Sequence, residues 1–198
     1  SIRRRQRQMC IRDRYLDMYK GTENSWGLVA KLFHWIIAIL VFIQIAAGIN
    51  LHFMEFSMQK SSFIDIHKII GSLILILVFL RLVWRFYNSQ PSNDNVPFMH
   101  VVVSKFVHVI LYILMIWIPI QGMLLTWTGG YDVSILGLFN LPRLVEENLM
   151  MYDQFKNFHY YFALLLTFTF IIHLSAGLYH RFIAGDKYGI WKRMSFKK

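Results

Sequence analysis

Three histidines, His159, His173 and His180, interrupt an otherwise apolar run at residues 157–180, "NFHYYFALLLTFTFIIHLSAGLYH". Imidazole is a metal ligand and a proton carrier, and hydrocarbon rejects its polarity, so each such residue is a functional candidate. A bland alternative exists for any one of them: donation to a carbonyl on a neighbouring helix. Their arrangement argues for more. His159 and His173 are fourteen residues apart, which on a helix means about 40° apart around the axis and about 21 Å along it. They would therefore serve two levels on nearly one face.

The elements that must carry these residues follow from composition. The 198 residues are 56% hydrophobic and 16% charged, with a mean hydropathy of +0.42; soluble domains are about 25% charged. Four stretches reach the roughly 20 apolar residues that a membrane-crossing helix needs, at about 31–53, 64–86, 101–127 and 158–182. None alternates in polarity as barrel strands would. The expected fold is an all-α, integral membrane four-helix bundle over residues 26–198. Pro119 should kink or loosen the third helix. Residues 1–25 read as a basic arm, disordered or non-native, since "RRRQRQMCIRDR" resembles translated adapter sequence. Cys10 is the single cysteine, which excludes an intrachain disulfide and any cysteine-based iron–sulfur or zinc site.

Lys and Arg set orientation. Seventeen lie on the side of both termini and the second connection, against four on the other; without residues 1–20 the split is ten to four. Both termini are expected in the cytoplasm. The net charge of +10 then describes an inner surface drawn to anionic lipid, with no nucleic-acid partner.

Antiparallel spans now place the histidines. His34 opens the first helix and meets the inner level of His173. His67 opens the second and meets the outer level of His159. Facing imidazoles from separate helices suit a haem iron with two axial ligands, in a slot between helices. Zinc asks for four ligands, or three and water; neither level adds cysteine, and the acidic residues stay in ends and loops. Gly48, fourteen after His34, and Gly71 and Gly177, four after His67 and His173, would let backbone approach a porphyrin, although glycine is also common wherever membrane helices pack. Arg81, fourteen after His67, faces the inner level as a propionate partner; Arg85, Lys105, Lys60 and Lys68 suit the same task but are explained by snorkelling. His108 would lie at the inner level, His52, His100 and His180 at interfaces, and Trp26, Trp35, Trp84, Trp127 and Trp191 in aromatic belts.

"FHW" at the first helix, "IHKIIGSLILILVFLRLVWR" in the second, "VHVILYILMIWIPIQG" in the third and "FHYYFALLLTFTFIIHLSAG" in the fourth resemble the bacterial cytochrome b561 family over about residues 26–196. The resemblance implies a bacterial inner-membrane protein with two haem b groups, held by His34 with His173 and His67 with His159. It implies electron transfer between a donor and the quinone pool. One branch of the family oxidises superoxide at the outer face, and related cytochromes anchor hydrogenases and formate dehydrogenases, so a dehydrogenase partner subunit or a second copy of the chain stays open. The chain departs from the superoxide pattern in its third connection, residues 128–157, with four acidic and two basic residues, where steering an anion wants the reverse. Gln121, Thr126 and Trp127 are the plausible quinone lining. A transporter would want one midplane polar site, and a purely structural bundle would be colourless.

Overall fold

In hydrocarbon every backbone N–H and C=O must be paired within the chain, so apolar runs of this length fold as helices. The structure, a computed structural model, describes residues 18–196; Cys10 and the basic arm through residue 17 lie outside the described residues. Four helices are long and apolar enough to cross a membrane: α1 (Leu28–Phe53), α2 (Met58–Tyr87), α3 (Phe98–Thr128) and α4 (Leu149–Leu178), the last continued by a π-helical turn, Tyr179–Ile183. A five-residue helix, α5 (Ile190–Met194), ends the chain's described part. Consecutive long helices pack side by side, so α1 and α3 run from the end carrying the termini to the far end, and α2 and α4 run back.

All four helices start earlier than expected, α1 and α3 by three residues, α2 by six and α4 by nine; the last two shifts are the largest. Asp65 and Lys68, and Asp153 and Lys156, end the apolar pattern there, but they do not end the hydrogen-bond ladder. Side-chain caps do: Ser57 accepts from the Lys60 N–H and Asn148 from the Met151 N–H. Such caps are worth about 1 kcal/mol each. Pro119 lies within an uninterrupted α3.

Ile37, Val41, Ile74, Val78, Leu114 and Leu166 lead the buried core. Leu166 is seven residues from both His159 and His173, so this apolar layer lies midway between the two levels. Large side chains turned away from it, such as Phe42, Phe79, Phe106 and Phe168, are exposed, as lipid-facing residues are.

The third connection, which has no apolar period, holds an antiparallel hairpin, β3 (Val133–Ile135) with β4 (Phe139–Leu141). Another short pair, β1 (Gly21–Thr22) with β2 (Ser25–Trp26), precedes α1. The β3–β4 tip reaches down against α2: Leu136, at φ 54°, donates its N–H to Ser72 Oγ at 3.0 Å, and that hydroxyl donates to the Ile69 carbonyl at 2.8 Å. Ser72 is buried and follows Lys68, the last charge before the apolar run of α2, by one turn. Backbone at that depth is tolerated only when its polar groups are covered. Ser72→Ala should therefore leave the Leu136 N–H without its acceptor, at a cost of about 1–3 kcal/mol. Faster hydrogen exchange through residues 129–148, with the helices unchanged, is the expected readout; unaltered exchange would mean that the hairpin is held elsewhere.

Across the bundle, the C-terminal segment hooks back over α1. Both oxygens of the buried Asp186 accept N–H groups at the start of α5, from Trp191 at 2.8 Å and Lys192 at 2.9 Å. Trp191 then packs edge-on against Trp35, ring centroids 6.0 Å apart. Trp35 Nε1 donates to the Met194 carbonyl and Lys31 Nζ to that of Ser195. Trp35 thus ties two segments together. Trp127, expected at the membrane interface, is instead buried inside the protein, 4% exposed.

Candidate functional site

Each helix delivers its histidine at a fixed height. His34 is six residues into α1 and His173 five from the end of α4; their ring centroids are 6.1 Å apart, with planes at 76°. His67 is nine residues into α2 and His159 ten into α4; theirs are 6.2 Å apart, with planes at 68°. Antiparallel topology therefore brings together both expected couples.

A metal–imidazole bond is about 2.0–2.1 Å and the bonded nitrogen lies about 1.1 Å from its ring centre, so two imidazoles on opposite sides of one metal have centroids about 6.3 Å apart. Both couples match that separation. At the far level His67 Nδ1 is buried with no hydrogen-bond partner among the described residues, and the His159 ring lies beside the Ile118 backbone of α3. Among the described residues no group of three or more His, Cys, Asp or Glu gathers to hold an ion by itself. The donor set fits a group that brings its own equatorial ligands, as a porphyrin does.

Glycines border the far couple from both sides. A Cβ built on Gly48 of α1 would stand 3.7 Å from His67 Cε1, and one on Gly122 of α3 would stand 3.4 Å from His159 Cε1. Gly71 clears a different neighbour: its Cβ would meet Gln44 Nε2 at 3.3 Å. Gln44 Nε2 donates to the His67 carbonyl at 2.8 Å, fixing the α2 backbone at the residue that carries the imidazole. Gly122 and Gln44 were not picked out from sequence. Their signals were a glycine in "IQG" and a lone amide in "VFIQIAAG", and neither is specific without a neighbour to explain it.

At the level nearer the termini a cavity opens among His34, His173, His108, Arg81 and Tyr112. The Arg81 guanidinium lies 5.6 Å from the Tyr112 ring centre, a cation over an aromatic face, and points its charge into this level. Arg85 stands 5.7 Å from the Trp26 ring and 5.9 Å from that of Tyr112. His108 Nδ1 is 2.6 Å from the Ser104 carbonyl; a carbonyl only accepts, so Nδ1 carries the hydrogen and Nε2 is left as an acceptor. Its ring centre is 5.1 Å from that of His173.

The other sequence candidates lie apart from both couples. His52 stacks on Tyr160 at 5.0 Å, and His100 meets His180. A Cβ on Gly177 would touch the Trp191 ring at 4.0 Å, not an imidazole. Lys60 Nζ donates to the Met54 carbonyl at 2.7 Å and Lys68 pairs with Asp65 at 2.9 Å. Gln121 is buried, its Oε1 without a partner among the described residues, as is Trp127 Nε1.

The family described as prokaryotic cytochrome b561 matches this chain over residues 25–197. Cytochrome b561 homolog 2 of Escherichia coli K12 is 27% identical over 180 residues, covering 89% of this chain and 94% of the relative. Cytochrome b561 homolog 1 of the same strain is 29% identical over 171 residues, 82% of this chain and 93% of the relative. A probable superoxide oxidase, CybB, of Yersinia pestis is 27% identical over 154 residues, 77% and 86% respectively.

Proposed function

The chain belongs to the prokaryotic cytochrome b561 family, a haem b electron-transfer protein spanning a bacterial membrane several times, and on that premise we propose that it carries two haems and exchanges electrons between a donor at its far face and the quinone pool. His34 with His173 would hold one haem and His67 with His159 the other. The observation that carries this reading is the pair of centroid distances, 6.1 and 6.2 Å. Haem iron held by two imidazoles keeps no vacant position and supplies one-electron transfer. The protein's part is to hold and shield. Gln44 fixes the His67 backbone, Arg81 supplies positive charge where propionates need a cation, and the core around Leu166 keeps water out between the levels. The termini face the cytoplasm, by the ten-to-four excess of Lys and Arg.

The superoxide donor named for the Yersinia pestis relative is less well served here. An anion is steered by positive charge; Lys68 is paired with Asp65, which leaves Lys156 and Lys60, whose ammonium keeps its charge on the Met54 carbonyl, to supply it locally against the acidic third connection. Purified protein should contain two haems per chain by pyridine haemochrome assay and become reduced when a short-chain ubiquinol is added. Reduction by enzymatically generated superoxide, abolished by superoxide dismutase, would identify that donor instead. Two haems that stay oxidised under both would make the chain the membrane anchor of a dehydrogenase, with a partner subunit as donor.

A further inference from the structure

A further couple of imidazoles, sharing no residue with either level, stands at nearly the same spacing. His100, two residues into α3, and His180, on the π turn after α4, have centroids 5.9 Å apart and planes at 63°. Tyr188 closes a triangle, its ring 5.9 Å from that of His100 and 6.5 Å from that of His180. His180 Nδ1 is buried and has no hydrogen-bond partner among the described residues, whereas His100 is exposed. The triangle thus pairs an unsatisfied buried nitrogen with a route from water. Single π turns are rare in helices and recur at functional sites. This one ends α4: Ala184 N–H bonds to the Tyr179 carbonyl, and Asp186 N–H to that of His180 at 2.7 Å.

We propose that His100 and His180, with the Tyr188 phenol, bind a late first-row divalent cation that staples the start of α3 to the end of α4. Two imidazoles and a phenol oxygen suit such an ion, and the Irving–Williams order places Cu2+ tightest and Zn2+ below it. Hard cations are disfavoured, because Asp186, the nearby carboxylate in sequence, already spends both oxygens on the Trp191 and Lys192 N–H groups. His180 is seven residues beyond His173, about 10 Å along the helix, so the ion is separate from the group held at that level.

The test uses haem-loaded, tag-free protein in detergent, titrated with Cu2+ against a competing chelator and analysed for metal after gel filtration. Wild type should hold one Cu2+ more than His100→Ala and His180→Ala, both of which keep their haem content and visible spectrum. Copper bound at the N-terminal amine or Cys10 is common to all three and cancels. Equal copper content in wild type and variants overturns the site and leaves the triangle as ring packing. Zn2+ should also raise the melting temperature of wild type and not of either variant; an equal rise in all three overturns the staple.

Discussion

Replacing His159 by alanine is expected to remove one haem of two and leave the other in place. The haem-to-protein ratio should fall from two to one, and the reduced-minus-oxidised spectrum should lose one component. His67→Ala should give the same result, because its ring is the one that faces His159, at 6.2 Å. Residues acting as a unit are not additive, so the His67/His159 double variant should be no worse than either single. His34→Ala and His173→Ala should remove the other haem, and pairing His159→Ala with His173→Ala should leave none. If His67→Ala and His159→Ala removed different haems, the couples would be wrongly matched. If neither lost any, the ligand assignment would fall.

Gly122→Leu should also empty the far level, without touching a ligand. A Cβ there meets His159 Cε1 at 3.4 Å and Nδ1 at 3.8 Å, ordinary contact distances, so Gly122→Ala should keep both haems. Leucine adds three further carbons in the space of the ring. Overpacking of this kind costs about 1–3 kcal/mol, and turning the imidazole aside is the easy relief. The haem ratio should drop to one, with the component ligated by His34 and His173 unchanged. Full occupancy in Gly122→Leu would make this glycine a helix-packing residue only.

The fold was largely legible in the sequence because hydrocarbon leaves so few options. Apolar runs gave four helices, and the 3.6-residue period together with antiparallel order was enough to match His34 with His173 and His67 with His159. The helix starts were less legible, since hydropathy reports the lipid boundary while Ser57 and Asn148 cap helices that project beyond it. The β3–β4 hairpin escaped notice because Leu136 and Gly137 make sense only beside Ser72 and Ile69, more than sixty residues away in sequence. Trp127 was misplaced for a related reason: a tryptophan at a helix end looks the same whether lipid or a folded connection covers it. Gly122 and Gln44 carry no local pattern at all; their meaning lies in the histidine across the bundle.

One feature of the couples reaches into magnetism. Their ring planes are crossed, at 76° and 68°. Crossed imidazole π systems on one low-spin ferric ion load its two out-of-plane d orbitals about equally, whereas parallel rings load one and split the two apart. Near-degenerate orbitals retain orbital angular momentum. The oxidised protein should accordingly give paramagnetic resonance lines at unusually low field for both centres, and a rhombic spectrum would mean that the rings realign when iron binds.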